Sequence, residues 1–342
     1  MMKRLLTIFI IACVFFSCEN DRPANDPNNG QKPIKFDMTE TRAAVTEDDI
    51  NNNNNGFGVF AFVNNGAEGT PESTTFESLF GEAAKKVEWK DATGWTYDPI
   101  KYWESDRVYH FFGVYPYDAP YSIIKDISGN PTGISRTFTT PDEADQDIVA
   151  AKVTHTTAET TPESVVMDFN HILAKVYFKI GYDTTNNEDD EFILREFSIS
   201  NIKKVGTLQS LFTDSNTHSW SVNPLQNMTF KWSSENEDAL EAALSLWGDG
   251  LMLIPQTIAP GVVNINVKYT YRDHYVVEGE DGEQIADPVD KEVNTYLPAV
   301  TWKPGQQYTY TMTLHEDDLI TFRQIEVATW GSPQQGGAII IK

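Results

Sequence analysis

Residues 303–314 read Lys-Pro-Gly-Gln-Gln-Tyr-Thr-Tyr-Thr-Met-Thr-Leu, a turn sequence followed by strict alternation of apolar residues and threonines. From Tyr308 to Leu314 the pattern has a period of two, which is the period of a β-strand with one buried face. Aromatic and β-branched residues are those that strands favour. Pro304 and Gly305 supply a turn just before it. The segment therefore predicts a strand entered through a tight turn.

The same period of two recurs along most of the chain. The other segments that carry it most clearly are 56–63, 108–115, 165–182, 192–202, 262–271 and 320–328. Two segments are predicted to be helical instead, namely 76–86 and 235–246, and a capping-box pattern of Ser234 and Glu237 opens the second. Many short strands with one or two short helices predict an all-β fold of antiparallel β-sandwiches.

Length and composition indicate two domains. The 342 residues are 40% hydrophobic and 12% aromatic, which suffices for buried cores. At roughly 150 residues per domain, the chain left after removal of an export signal forms two units. Segment 151–163 is rich in Thr and Glu, a composition typical of a linker. We therefore expect an N-terminal β-sandwich over 43–162 and a C-terminal β-sandwich over 163–342.

Residues 1–18 have the pattern of an export signal, with a basic start, an apolar run over 5–16, and Ser17 before Cys18. The apolar run is shorter than the ~20 residues that span a bilayer. Segment 15–18 resembles a bacterial lipobox, which predicts acylation of Cys18 and a lipid anchor in the outer membrane. The alternative is an ordinary signal peptide with an incidental cysteine. The only other cysteine is Cys13, so no thiol remains for a disulfide.

The segment between the signal and the first domain has two parts. Residues 19–33 are rich in Asn, Asp, Pro and Gly, a composition typical of a tether. Residues 34–38 alternate, so Ile34, Phe36 and Met38 are predicted to share one face of a strand. The acidic, asparagine-rich run 46–55 that follows is predicted to be a loop.

Charge and motifs exclude several function classes. With 26 Lys and Arg against 50 Asp and Glu, the net charge is -24, which argues against nucleic-acid binding. No Gly-x-Ser-x-Gly elbow, Walker loop or dinucleotide fingerprint occurs, and no two histidines have the spacing of a helical metal site. We therefore expect no enzyme activity and no cofactor, although a carboxylate pair for glycoside hydrolysis has no sequence signature that would reveal it.

Three weaker candidates each have a structural and a functional interpretation. His171 is either a metal ligand or, as we favour, a hydrogen-bonded strand histidine. The carboxylates of 281–290 are either a calcium loop or, as we favour, a hairpin tip, because the EF-hand spacing is missing. A group of aromatics is either a sugar-stacking platform or, as we favour, core packing, and consists of Trp95, Tyr97, Tyr102 and Trp103.

An ordered set of aromatic motifs resembles a known family. These motifs are Trp-Thr-Tyr-Asp-Pro at 95–99, Tyr-Trp at 102–103, Val-Tyr-His-Phe-Phe-Gly-Val-Tyr-Pro-Tyr at 108–117, Phe-Asn-His-Ile-Leu-Ala-Lys-Val at 169–176, the 304–314 stretch and Ile-Glu-Val-Ala-Thr-Trp at 325–330. Together with the lipobox and Thr41-Arg42-Ala43, they resemble the Bacteroidetes fimbrillins, the type V pilins. The resemblance implies two transthyretin-like β-sandwich domains, cleavage between Arg42 and Ala43 by a trypsin-like protease, and other fimbrillin subunits as partners.

Such a cut predicts how subunits join. Loss of the strand at 34–38 would open an apolar groove and an unpaired sheet edge, which a strand from another copy can refill. The candidate donor is the C-terminal segment, and the alternative is that this segment completes the sheet of its own domain. Its apolar residues are on even positions at first and on odd positions later, which predicts a bulge or strand break. The candidate donor residues are Ile320, Phe322, Ile325, Val327, Ile339, Ile340 and Ile341.

We therefore predict a structural subunit of a cell-surface fimbria, exported as an outer-membrane lipoprotein, with adhesion as its outcome. The alternative is a lipid-anchored tip adhesin or glycan-binding surface lipoprotein that contacts a host glycan or matrix protein and does not polymerise.

Overall fold

The computed structural model describes residues 31–38, 56–64, 75–140, 147–157, 161–183, 191–213, 218–234, 244–276, 283–315, 317–330 and 339–340. Within these ranges the chain forms 27 strands and no helix. The all-β class predicted from the period-two pattern is therefore confirmed. Cys18, Arg42, Ala43 and Ile341 lie outside the described residues.

The strands up to residue 171 are β1 Phe36–Met38, β2 Phe57–Asn64, β3 Phe76–Ser78, β4 Lys85–Lys90, β5 Gly94–Thr96, β6 Val108–Tyr115, β7 Ser122–Lys125, β8 Pro131–Thr139, β9 Val149–Thr156, β10 Val165–Met167 and β11 Asn170–His171. The strands that follow are β12 Ala174–Tyr182, β13 Glu191–Lys203, β14 Val205–Leu211, β15 Ser219–Val222, β16 Asn227–Ser233, β17 Leu244–Leu253, β18 Thr257–Ile258, β19 Asn264–Arg272, β20 His274–Val276, β21 Glu283–Ile285, β22 Val289–Tyr296, β23 Val300–Thr301, β24 Gln306–Leu314, β25 Ile320–Phe322, β26 Glu326–Thr329 and β27 Ile339–Ile340.

The N-terminal sheet has seven strands in the order β11-β9-β6-β2-β4-β5, with β3 paired to β2. All eight residues of β2 are buried, because both faces of the sheet are covered. Phe57, Val59 and Ala61 face a core that includes β1 and β10. Phe60 and Phe62 face a second cluster on the other side. A strand with two covered faces has apolar residues on both of them, which explains the continuous apolar run 57–63 of β2.

A four-stranded sheet, which we call the bridging sheet, covers that second face. It consists of β15, β14, β8 and β7 in that order. β8 and β14 pair antiparallel from Thr139↔Val205 to Gly133↔Leu211, so the sheet takes two strands from each side of residue 163. The domain boundary near 163 stays a prediction, and the two sides of it share this sheet.

The C-terminal half is a β-sandwich. One sheet runs β17-β12-β24-β26-β27 with β25 on β24, and the other runs β16-β13-β19-β22. In β24 the side chains of Tyr308, Tyr310, Met312 and Leu314 are buried and the intervening threonines are not, as the alternation predicts. β24 runs parallel to β12, whereas the other pairs of this sheet are antiparallel.

The predicted strand break in the C-terminal segment is confirmed. β25 and β26 both pair with β24, but Phe322 is opposite Met312 while Val327 is opposite Tyr308. The register differs by one residue between the two strands. Because side chains alternate between faces, this slip keeps both even-numbered Ile320 and odd-numbered Val327 buried.

The predicted helix at 76–86 is wrong. β3 and β4 occupy its two ends and both pair with β2. Between them the chain turns at Gly81, which has a φ of 89°. Pairing with a central buried strand outweighs the modest helix propensity of this acidic and basic segment.

Two other expectations fall partly on described residues. In the second predicted helix, 235–246, residues 235–243 lie outside the described residues, and β17 begins at Leu244. In the linker-like segment 151–163, β9 extends to Thr156 and pairs with β6 over its full length. The threonines up to Thr156 therefore lie in a strand and not in a linker, because β-branched residues are favoured in sheets.

Buried His110 lies where the bridging sheet meets the N-terminal sheet, and half-buried His218 lies just before β15 with its Nδ1 2.9 Å from Ser210 Oγ of the bridging sheet. Phe212, just after β14, stacks on His110 at a ring distance of 4.4 Å. Lys152 donates hydrogen bonds to the backbone carbonyls of Leu211 and Phe212. Burial, and then the charge of Lys152, lowers the pKa of His110 and of His218 to about 4. Both imidazoles are therefore neutral in the folded protein at neutral pH.

We predict that these two histidines make the fold acid-sensitive. Their folded pKa of about 4 lies below the ordinary value of 6.5, so the unfolded chain binds more protons between these pH values. The free energy of unfolding should fall as the pH drops from 6.5 to 4, by up to about 3 kcal/mol per histidine. Urea unfolding of the wild type and of His110→Gln/His218→Gln across this range measures it. The double variant should lose stability less steeply, and equal slopes would contradict the prediction.

Candidate functional site

Residues 32–38 lie across the N-terminal core between two partner segments, 101–103 and β10. We call the surface that they cover the β1 site, and it is formed by Phe80, Tyr97, residues 101–103, Phe111 and β10. Its occupants include Ile34, Phe36 and Met38, the residues predicted to form a removable strand. The structure shows how each of them is held.

The backbone of this segment changes partner half-way along. Its first part is antiparallel to 101–103, with a bridge between Pro33 and Tyr102. Ile34 N donates to Lys101 O at 2.8 Å, and Trp103 N donates to Lys32 O at 2.9 Å. Its second part, β1, is parallel to β10 in the register Phe36↔Val165 to Met38↔Met167. Each half of the segment therefore has one partner, and the change falls at Ile34 and Lys35.

The side chains alternate strictly between core and solvent. Ile34, Phe36 and Met38 are 0%, 4% and 8% exposed, whereas Lys35 and Asp37 are exposed. The Phe36 ring packs against three aromatic rings, tilted at 5.4 Å from Tyr97 and edge-on at 5.7 Å from Phe111 and 6.5 Å from Phe80. The segment is an integral part of the N-terminal core.

A tyrosine hydroxyl completes the backbone pairing. Tyr97 Oη donates to Ile34 O at 2.9 Å and accepts from Lys101 N at 3.1 Å. Burial raises the pKa of Tyr97 to about 12, so the hydroxyl keeps its proton. Outside the core, the Lys32 ammonium pairs with Glu163, an exposed contact that contributes little to stability.

The candidate donor residues lie in the other half of the molecule. Ile320 and Val327 are buried in the C-terminal core, and Phe322 and Ile325 pack against it. β27 pairs with β26 through Glu326↔Ile340 and Val327↔Ile339. The first four residues therefore already support their own domain, whereas Ile339 and Ile340 belong to a two-residue strand at the edge of the sheet.

Sequence reasoning missed two parts of the β1 site. Segment 165–182 was expected to be one strand, but the structure divides it into β10, β11 and β12, and only β10 meets β1. Asp168 and Phe169 separate β10 from β11, and Asn170 Nδ2 donates to Asp168 O at 3.0 Å. The available sequence signal was Asp168 and Asn170, because strands disfavour Asp and Asn. The hydroxyl bridge of Tyr97 has no sequence signal, because it joins residues 63 positions apart.

The aromatic group and His171 have structural contacts, whereas Asp281 of the candidate calcium loop lies outside the described residues, so the hairpin tip at 281–290 stays a prediction. Trp95, Tyr97 and Trp103 are buried in the N-terminal core, so they offer no surface for stacking a sugar. His171 is buried, with Nδ1 2.7 Å from Asp147 Oδ2, and its ring stacks on Trp330 at 4.0 Å. Among the described residues, no cluster of three His, Cys, Asp or Glu side chains could hold a metal ion.

A separate cleft of about 330 Å³ opens between the bridging sheet and the C-terminal half. Its wall includes Trp220, Gln256, the Thr257–Thr301 hydroxyl pair and Lys303. Lys303 is the only side chain with a full charge among the lining residues, since the pKa of His218 is lowered to about 4. A cleft without a carboxylate is notable on a chain whose net charge is -24.

Comparison with known proteins identifies relatives. A family model described as fimbrillin-like matches residues 41–330. The chain is similar in structure to a fimbrial protein from Bacteroides vulgatus, with 18% identity, a TM-score of 0.58, and coverage of 87% of this chain and 99% of that one. A candidate cell adhesion protein from Bacteroides ovatus has 16% identity and a TM-score of 0.47, with coverage of 88% and 97%. Among curated protein sequences, none matches.

The structural similarity to the Bacteroides vulgatus protein supports the β-sandwich fold. In the part of the chain that the structure describes, no helix is long and apolar enough to cross a membrane.

We predict that truncating Phe36 destabilises the N-terminal half. Phe36→Ala removes a buried ring from among three aromatic neighbours, and such a change lowers the free energy of unfolding by about 3–5 kcal/mol. Lys35→Ala, on the exposed side of the same segment, is the control and should change it by less than about 0.5 kcal/mol. Urea denaturation measures both. Similar midpoints for the two variants would show that the segment does not stabilise the core.

Proposed function

Since this chain belongs to the fimbrillin-like family, we propose that it is a structural subunit of a cell-surface fimbria. In this proposal it is exported as an outer-membrane lipoprotein acylated at Cys18, is cut between Arg42 and Ala43, and then polymerises when the tail of another copy replaces β1. Adhesion is the outcome, and membership of this family makes the chain a non-enzymatic structural protein. The observation that carries the proposal is the burial of β1 in the N-terminal core upstream of Arg42.

Burial gives the energy that strand replacement would use. Each large apolar side chain that leaves the core loses about 1.5–3 kcal/mol, so loss of Ile34, Phe36 and Met38 amounts to several kcal/mol. β10 would also lose its partner, because β1 and β10 form a two-stranded sheet of their own. An incoming strand with apolar residues at alternate positions would restore both terms.

Because this burial holds β1 in place, cleavage of the chain and release of β1 would be two separate steps. A cut after Arg42 breaks the covalent link to the domain but leaves the contacts of residues 32–38 intact. The segment therefore stays bound until another strand displaces it. Cleavage would permit strand exchange, and binding of the donor strand would supply the free energy that displaces β1.

Within the candidate donor segment, we propose 339–341 as the donor. Ile320 and Val327 are buried in the C-terminal core, so their transfer to another subunit would remove them from their own. β27 has one strand neighbour and two paired residues, so its departure breaks few bonds. Repeated head to tail, such an exchange builds an open filament.

A saccharide-binding adhesin is the second candidate function, and the cleft beside Trp220 favours it. An aromatic wall and two hydroxyls are groups that bind sugar rings and hydroxyls. Lys303 without a neighbouring carboxylate in the lining would favour a saccharide that carries an acidic group. In this case the protein binds its ligand without assembling.

We predict that locking β1 in place blocks assembly. Asp37 and Val166 are register partners in β1 and β10, and Val166 is 46% exposed. Neighbouring strands lie about 4.8 Å apart, within the range that a disulfide spans. Asp37→Cys/Val166→Cys is therefore expected to form one when oxidised.

Trypsin under native conditions should cut the wild type first after Arg42, and multimers should then appear on size-exclusion chromatography. The oxidised double variant should be cut but stay monomeric, and reduction should restore assembly. Each single cysteine variant controls for the substitutions, and Arg42→Gln controls for the cut. Multimers from the oxidised protein would refute exchange at the β1 site.

Deletion of residues 331–342 separates the two candidate functions. A filament subunit should lose assembly, whereas a monomeric adhesin should keep its binding. For the adhesin, Lys303→Gln should weaken binding of 3′-sialyllactose by about tenfold, measured by calorimetry. Lys90→Gln, an exposed lysine on the β4–β5 hairpin, is the matched control. No binding by the wild type would exclude this ligand class.

A further inference from the structure

Tyr97 occupies a place in the β1 site that a backbone hydrogen bond would ordinarily fill. The bridge Pro33↔Tyr102 makes Ile34 and Lys101 an antiparallel pair. Such a pair exchanges two backbone hydrogen bonds. One of them is present, from Ile34 N to Lys101 O at 2.8 Å. In place of the other, Lys101 N donates to Tyr97 Oη at 3.1 Å, and Tyr97 Oη donates to Ile34 O at 2.9 Å.

The hydroxyl is fixed in position by its surroundings. Tyr97 is 6% exposed, and its ring packs against Phe36 and Phe80, each at 5.4 Å. Because Lys101 N–H already donates to the hydroxyl oxygen, the hydroxyl proton is left to point at Ile34 O. Tyr97 thus presents one donor, in one direction, to the strand that lies above it.

This donor constrains the strand that occupies the site. Along a strand, carbonyls alternate between its two edges, so only every second residue can offer a carbonyl to Tyr97. A shift by one residue would turn Ile34 O away and would also bring Lys35 and Asp37 into the core. A strand of reversed direction would interchange the positions of its N–H and C=O groups. A one-residue shift and a reversed direction would each leave the buried Tyr97 hydroxyl without an acceptor.

The same atoms mark the point where the strand changes partner. Up to Ile34 the segment pairs with 101–103, and from Lys35 onward it pairs with β10, beginning with the 2.7 Å bond from Val165 N to Lys35 O. A hydroxyl inserted between two backbone groups spaces them further apart than a direct bond would. The Tyr97 hydroxyl therefore lies where the segment moves away from 101–103 and toward β10.

We propose that Tyr97 is a specificity-determining residue of the β1 site, whose hydroxyl selects the direction and the alternate-residue register of the strand that lies there. In the uncut chain that strand is its own β1. After cleavage it is the strand of a second copy, and this part rests on the proposed function.

Tyr308 offers a matched control. Its hydroxyl accepts from Lys303 N at 2.8 Å and donates to Thr301 O at 2.9 Å, and its side chain is 1% exposed. Tyr308→Phe therefore removes the same kind of buried bridge from the C-terminal half and leaves the β1 site untouched.

The first experiment measures hydrogen–deuterium exchange in the uncut full chain. Tyr97→Phe should speed exchange of the amides in 34–38 and of Lys101 on the order of tenfold, which is the effect of about 1.4 kcal/mol. Tyr308→Phe should leave 34–38 unchanged and speed exchange near Lys303. Unchanged exchange of 34–38 in Tyr97→Phe would overturn the proposal, whatever becomes of polymerisation.

The second experiment tests the carbonyl directly on the Arg42-cut protein. A synthetic peptide of residues 32–39 competes for the β1 site, alongside a version with an ester between Ile34 and Lys35, whose carbonyl is a weaker acceptor. In the wild type and in Tyr308→Phe, the ester should weaken binding by the same factor. In Tyr97→Phe the factor should be smaller by about threefold to tenfold, because the hydroxyl that senses the carbonyl is gone.

Equal ester effects in all three proteins would overturn the proposal. If neither peptide enters the cut protein, the proposed strand exchange fails, and the exchange rates in the uncut chain still decide the role of Tyr97.

Discussion

Three side chains of residues 34–38 complete the N-terminal core, whose central sheet is formed by later parts of the sequence. Ile34, Phe36 and Met38 fill the space between the N-terminal sheet and β10, and no later part of the chain that the structure describes takes their place. The domain is thus closed by a segment that is covalently attached at one edge and held by packing along its length. The same strand therefore stabilises the fold and, in the proposed function, is the strand that a second copy would replace.

Residues 34–38 contact only one face of the N-terminal sheet. The opposite face of the N-terminal sheet packs on the bridging sheet, where Phe212 joins an aromatic cluster with Phe62, Phe76 and His110. Strands from both sides of residue 163 form the bridging sheet, so that contact does not depend on β1. One face of the central sheet is therefore covered by β1 and β10, while the other face packs on a sheet that the two halves share.

The pKa shifts of His110 at that junction and of Tyr97 at the β1 site have the same physical origin. Burial disfavours the charged form of each group, which lowers the pKa of His110 and raises that of Tyr97. For His110 the consequence concerns stability in acid. For Tyr97 the consequence is geometric, since a hydroxyl that keeps its proton offers a fixed donor to the carbonyl of the strand above it.

Local pattern was enough wherever one strand face meets a core. Alternation in 34–38 and in 308–314 gave the right buried side chains, and the change of parity between Ile320 and Val327 gave the strand break, because side-chain direction follows from the backbone period alone. Local pattern gave the wrong conformation for 76–86, which was predicted to be a helix, because pairing with β2 makes its two ends strands. The partner of β1, the division of 165–182 and the hydroxyl bridge of Tyr97 were set only by the tertiary structure. Each depends on groups far apart in the chain, and no local pattern records which distant backbone a strand will meet.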